Sequence, residues 1–192
     1  MSDVEFWFDF RSPYSYLAHT QLAGLGAPVA LKPMYVLQVM EIVGNTPTTI
    51  TCEAKGRYAR ADLGRWAALY GVPLSGHPKM RALDGRRLMR AALAAIDAGK
   101  GDAAVAALFQ AVWVNGAPLD TAEDVARLLG AAGFDVAPAA VDAPALDARL
   151  DAASREAADR GVFGAPTFIT GGQMFFGNDR LDFLRNHLRA AA

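Results

Sequence analysis

The rhythm of apolar and polar positions changes twice along the chain. Val4–Phe10 is a run of aromatic and β-branched residues whose side chains face alternate sides of a strand. Val29–Tyr35 alternates in the same way and predicts a second strand. Between them, Ser12-Pro13 reads as a helix start, because serine suits the N-cap and proline the first helical position. That helix is expected from Tyr14 to about Leu25, closed by Gly24 and Gly26. The opening is therefore a βαβ unit. From Leu37 to Thr51 the chain is polar and threonine-rich, with Gly44 and Pro47, and predicts a loop. Helical spacing then takes over in Ala54–Tyr70, Arg86–Ala98, Ala103–Val114, Thr121–Ala131 and Asp142–Arg160, with glycines between the segments. After Gly161 the strand texture returns. Pro166–Thr170 and Gln173–Phe176 flank Gly171-Gly172, a two-residue hairpin signal, and Asn178 or Asp179 is placed to cap a last helix through Arg189.

The sheet is thus built from both ends of the chain. The order βαβ, helices, ββα, with a proline opening the third strand, predicts an α/β fold: a thioredoxin-like sheet with a large all-helical insertion. The expected division is residues 1–36 with 161–192 for the sheet domain, and 37–160 for the insertion. At 192 residues, 53 % hydrophobic and 20 % charged, the chain can bury a substantial core.

Charge narrows the partners. The formal net charge is −1 with the two signs interspersed, so no patch for nucleic acid or a membrane surface is expected. The chain enters its first strand without the segments of a secretory leader. No stretch reaches the roughly 18–20 apolar residues of a membrane span. A soluble cytoplasmic protein is expected. Cys52 is the lone cysteine, which excludes an internal disulfide and a dithiol cycle within one chain.

The absence of a second sulfur matters because of where the first helix starts. In thioredoxin-type oxidoreductases a Cys-x-x-Cys pair occupies this position, and the helix-start amides stabilise a thiolate. Here Ser12-Pro13-Tyr14-Ser15 stands there, with both sulfurs replaced by oxygen. A serine hydroxyl forms no disulfide, but it can donate a hydrogen bond to a thiolate brought in by a small thiol. Glutathione is the obvious cellular candidate. The plainer reading makes Ser12 an ordinary N-cap and Ser15 a first-turn serine.

The chain resembles the 2-hydroxychromene-2-carboxylate isomerases, relatives of kappa-class glutathione transferases and of the DsbA family. The matching stretches are Phe8–Ala18, Gly44–Pro47, Lys55–Tyr58 with Asp62 and Arg65-Trp66, Gly161–Phe168, and Phe176–Leu181. They lie in family order from end to end. The resemblance implies that Ser12 bonds the glutathione sulfur and that Asn45 contacts the glutathione backbone or the substrate. It implies that Lys55 lies near a carboxylate of glutathione or substrate. Pro166 would be the cis-proline, Ala165 would pair its backbone with the cysteinyl part of glutathione, and Asn178 and Asp179 would hold the γ-glutamyl end. The implied reaction is glutathione-dependent isomerisation of 2-hydroxychromene-2-carboxylate to trans-o-hydroxybenzylidenepyruvate, or of a similar carboxylate from breakdown of naphthalene-like aromatics. A homodimer is implied as well.

Each position has a structural alternative. Gly-Asn-Thr-Pro is good turn sequence around Asn45, Lys55 reads equally as a solvated lysine, and Asn178-Asp179 as a cap. Tyr58, Asp62 and Arg65 fall at helical spacings and can share a face. Trp66 and His19 read as structural, and His77 and His187 lack partners at metal-ligand spacing, so no metal site is expected. Some relatives carry tryptophan at the Phe176 position. Cys52 and the run Thr48–Thr51 match no family feature. Two rival functions fit the same residues, a kappa-like glutathione transferase and a non-enzymatic thioredoxin-fold binding module.

Overall fold

The computed structural model describes residues 4–191. Four strands form one mixed sheet in the order β2-β1-β3-β4. They are β1 (Val4–Phe8), β2 (Val29–Pro33), β3 (Thr167–Thr170) and β4 (Gln173–Phe176). β1 runs parallel to β2 and antiparallel to β3, with Phe6 opposite both Leu31 and Phe168. β3 and β4 form the hairpin read from the sequence, with Gly171 and Gly172 at φ 54° and 75°. Positive φ at both turn residues is what such a hairpin needs and what glycine supplies without steric cost.

Period-two alternation in β1 supplies two cores, one on each face of the sheet. Val4, Phe6 and Phe8 enter the larger one with Phe168 and the insertion helices, whereas Trp7 enters a smaller one with Met34, Val39, Val162 and Ile169. The larger core continues without a break into the helices of the middle segment, among them Leu88, Leu108 and Val125.

Among the described residues ten α-helices complete the fold. They are α1 (Pro13–His19), α2 (Val36–Ile42), α3 (Thr48–Thr51), α4 (Glu53–Tyr70), α5 (Gly85–Asp97), α6 (Gly101–Gln110), α7 (Ala122–Ala131), α8 (Pro138–Val141), α9 (Pro144–Asp159) and α10 (Leu181–Ala190). A π-helical turn, Ala111–Asn115, extends α6. α5 is capped by Asp84, and α7 by a capping box in which Thr121 and Asp124 exchange bonds.

Two expectations are corrected. The stretch 37–51 is not a loop: it holds α2 and the single turn α3. Sequence signals missed α2 because its first amides are satisfied from far away. Val36 N donates to Asp9 Oδ2 at 3.0 Å and Tyr35 N to Ser154 Oγ at 2.9 Å. The first helix also stops early, at His19, and a 3-10 turn follows at Leu22–Leu25. Thr20 Oγ1 donates back to Leu17 O at 2.7 Å, the local bond by which threonine competes with helix continuation.

Side-chain hydroxyls and an indole fasten the middle segment to the sheet domain. Tyr14 donates to Asp62, Tyr16 to Pro73 O, Tyr70 to Asn178 O and Trp113 Nε1 to Phe10 O, at 2.7–3.2 Å. No helix among the described residues is long and apolar enough to cross a membrane.

His19 packs its ring 4.9 Å from that of Phe109 and 6.4 Å from that of Phe6. Burial pulls the imidazole down from 6.5 to about 4, with Asp102 pulling weakly the other way. The unfolded chain therefore binds this proton more tightly. The stability that neutral His19 contributes is complete above the unfolded value and is lost as pH falls toward the folded one. Between about pH 7.5 and pH 5 the loss should be about 2 kcal/mol, and His19→Phe should flatten it. Urea unfolding of both proteins at the two pH values checks this.

Candidate functional site

The site begins with a tight turn. Asp9 closes β1 and bends the chain through Arg11 into α1: Ser12 N donates to Asp9 O at 3.0 Å, and Arg11 N to Asp9 Oδ1 at 2.8 Å. Ser12 is extended at φ −88°, ψ 113°, and Pro13 opens the helix. Ser12 Oγ accepts from Ser15 N at 3.2 Å, the N-cap bond read from the sequence. The same hydroxyl donates across the fold to Ala165 O at 3.1 Å.

Ala165 belongs to the loop from Gly161 into β3. The Ala165–Pro166 peptide is cis, as the resemblance implied. Thr167 Oγ1 donates to Gly164 O at 2.8 Å, and Gly177 N to Pro166 O at 2.9 Å. Among the described residues no acceptor meets the Ala165 N–H. At Gly164 a Cβ would lie 2.7 Å from Phe176 Cε2, so a side chain there would displace the Phe176 ring. Its absence lets Phe176 close on Phe163, ring centroids 4.5 Å apart, although both remain about two-fifths exposed.

The far side of this loop is held by Asn45. α2 ends in a Schellman motif, with Asn45 N bonded to Met40 O at 2.8 Å, Gly44 N bonded to Glu41 O at 3.2 Å, and Gly44 at φ 69°. Asn45 Nδ2 then donates to Phe163 O at 2.8 Å, and its Oδ1 accepts from Thr46 N. Ser12, Ala165, Pro166 and Asn45 thus form one connected cluster. Both polar groups of the exposed Asn45 side chain are engaged by the protein's own backbone.

Lys55 stands on the exposed face of α4. It lines an open cavity of about 420 Å³ with Tyr14, Thr49, Ala54, Tyr58 and Ala59. Tyr14 joins this wall to the rest of the site. Its hydroxyl donates to Asp62 Oδ2 at 3.1 Å, and burial followed by the Asp62 carboxylate pushes it above the ordinary tyrosine value. Arg65 lies 5.8 Å from the Tyr58 ring, so the α4 triplet splits: Tyr58 and Arg65 pair, and Asp62 turns to α1.

Asn178 and Asp179 occupy a 3-10 turn, Asn178–Arg180, beside α1. Neither side chain caps α10, which corrects that expectation: the turn starts from Gly177 at φ 99° and leads directly into the helix. Asn178 is 3 % exposed, and its Nδ2 has no partner among the described residues. A buried amide hydrogen without an acceptor is costly, and a water or a ligand atom would satisfy it. The exposed Asp179 carboxylate pairs with Arg180 at 2.7 Å and contributes to the upward push on Tyr14.

Comparison with known proteins bears on these features. The DSBA-like thioredoxin domain matches residues 3–189. A 2-hydroxychromene-2-carboxylate isomerase of Sphingobium xenophagum is 35 % identical over 195 residues, covering 96 % of this chain and 97 % of that protein. One from Pseudomonas putida is 33 % identical over 190 residues, covering 95 % and 92 %. A solved 2-hydroxychromene-2-carboxylate isomerase superposes with a TM-score of 0.87 at 31 % identity, covering 98 % of this chain and 95 % of that one. The chain belongs to the 2-hydroxychromene-2-carboxylate isomerase family, within the DsbA-like thioredoxin domains. A likeness of fold alone extends to the cytosolic disulfide reductase DsbM of Pseudomonas aeruginosa, solved with glutathione, with a TM-score of 0.67 at 20 % identity over 98 % of both chains.

Against this isomerase-family frame, three participants escaped the sequence reading. Asp9, Tyr14 and Phe163 lie in stretches that match the family but carry no role in that reading, because their contacts with Val36, Asp62 and Phe176 are not local in sequence.

Ser12→Ala removes an N-cap acceptor and the donor to Ala165 O in one step. It should lower folding stability by about 1–2 kcal/mol while leaving the fold in place. Denaturant titration against wild type, with far-ultraviolet circular dichroism as the fold control, checks this.

Proposed function

We propose that this protein is a glutathione-dependent isomerase that converts 2-hydroxychromene-2-carboxylate, or a closely similar aromatic-derived 2-hydroxy acid, into trans-o-hydroxybenzylidenepyruvate. The observation that carries the reading is the Ser12 hydroxyl, seated at a helix start and bonded to the carbonyl just before a cis-proline. The full-length likeness to isomerases bearing this substrate's name supports it. So does the set of unused donors. The Ala165 N–H and the Asn178 Nδ2 suit a peptide-like, carboxylate-bearing cofactor, and Lys55 suits an acid.

Glutathione, when bound, would supply a nucleophilic thiolate for reversible addition to a conjugated carbon, which would allow bond rotation in the ring-opened substrate and return the thiol unchanged. The chain's own work is to bind, orient and hydrogen-bond. Ser12 Oγ stays held by Ser15 N, so turning its O–H from Ala165 O toward a sulfur anion needs no movement of the oxygen. The Ala165 carbonyl that Ser12 then releases can accept from a ligand amide. Tyr14, held protonated beside Asp62, offers the cavity a neutral phenol. Phe163 and Phe176 offer an apolar flank next to the same loop.

Calorimetric titration with glutathione and S-methylglutathione, followed by a chromene isomerisation assay, tests the proposal. Glutathione should bind, capping its sulfur should weaken binding, and Ser12→Ala should cut turnover at saturating glutathione by roughly a hundredfold. Retention of the sulfur adduct in the product would instead make the protein a transferase. Failure of both thiols to bind would leave a thioredoxin-fold module without this cofactor.

A further inference from the structure

The hydrogen bonds around the cis-proline loop close into a circuit, and one buried carboxylate completes it. From Asp9 the path runs through Arg11 to Ser12, whose Oγ reaches Ala165 O. It passes along the loop to Phe163, whose carbonyl accepts from Asn45 Nδ2. Asn45 is locked to the end of α2 through Met40 O. The start of α2 returns to the origin, because Val36 N donates to Asp9 Oδ2.

Asp9 is 1 % exposed, and no salt bridge involves it among the described residues. Burying a carboxylate is costly, and burial pushes Asp9 above the ordinary carboxylate value against the pull of its two amide donors and of the Arg11 charge. A packing role alone would be met by an apolar residue at lower cost. Two acceptor oxygens on one carbon, however, hold two backbone amides from separate segments at a fixed separation. No neutral side chain of similar size does that, since asparagine replaces one acceptor by a donor.

We infer that Asp9 is a positioning residue of the site: by gripping Arg11 N and Val36 N together, it sets Ser12 against Asn45, the two side chains that clamp the Phe163–Ala165 segment. The role concerns the site of the isomerase reading but rests on bonds present without any ligand. Ser12 and Asn45 then act as the two jaws of one clamp whose back is Asp9. A loosened back should appear at both jaws.

The test is amide hydrogen exchange and two-dimensional nitrogen–proton resonance spectroscopy on the unliganded full chain, with wild type, Asp9→Asn and Asn45→Ala. In Asp9→Asn one acceptor is lost, so exchange at Arg11 or Val36 should accelerate about tenfold, the scale of one lost hydrogen bond. The Asn45 side-chain amide signal and the Gly164 and Ala165 backbone signals should move with it. Asn45→Ala alters a surface side chain and keeps the core, so it covers the case in which Asp9→Asn fails to fold. It should shift the Ser12 and Val36 amides from the opposite end of the circuit. Changes confined to Arg11 and Val36 in the first variant, or to the immediate neighbours of Asn45 in the second, would overturn the inference. Because no ligand is present, a wild-type protein that ignores glutathione would sink the isomerase reading alone, and the spectra would still decide on Asp9.

Discussion

One hydroxyl joins the two ends of this chain at the point where chemistry is expected. Ser12 Oγ accepts from the first turn of α1 and donates to Ala165 O, 153 residues further on. Much else is arranged around that bond. β1 must end in a turn to present Ser12, and the loop into β3 must bring the Ala165 carbonyl to face it. The two strands must pair, as Trp7 does with Thr167, to bring the turn and the loop together. A sulfur in place of Oγ would make a weaker donor and a reactive thiol. An oxygen makes a fixed, unreactive donor, and chemistry on a thiol then depends on a thiol from outside.

The helical middle segment serves the same place from above. α4 fully buries only Ala67 of its 18 residues, with Leu63, Trp66 and Tyr70 packed part-buried against the larger core. Tyrosine hydroxyls add to that hold: Tyr14 on Asp62, and Tyr70 on Asn178 O. Each such bond contributes about 1 kcal/mol, enough to seat a helix without sealing the cavity beneath it. That balance leaves the cavity wall of Lys55, Tyr14 and Tyr58 open. The continuous core that runs from Phe6 and Phe8 into α5, α6 and α7 supplies the stiffness that α4 lacks.

The sheet and the serine were legible in the sequence because their signals are local. Alternation in Val4–Phe10, Ser-Pro at a helix start and Gly-Gly between two strands each depend on neighbours a few residues apart. α2 was not legible, because its N-terminal amides are met by Asp9 and Ser154, residues 27 and 119 positions away. The role of Asn45 was half legible. Its turn chemistry is local, but its bond to Phe163 O spans 118 residues. Asn178 and Asp179 were placed at the right turn, but the capping role read for them fails, since neither side chain caps the last helix. What the sequence hid is mostly one kind of contact, a side chain satisfying a backbone group of a remote segment.

The claim that the oxygen site serves an external thiolate is tested most directly by the acidity of the bound thiol. The ultraviolet absorbance of the thiolate, recorded against pH for glutathione held by excess protein, reports it. The account predicts a bound thiol that ionises at least one unit below the roughly 8.5 of a free thiol, and a return toward that value in Ser12→Ala. A bound thiol that titrates where the free one does, in wild type and variant alike, would contradict it.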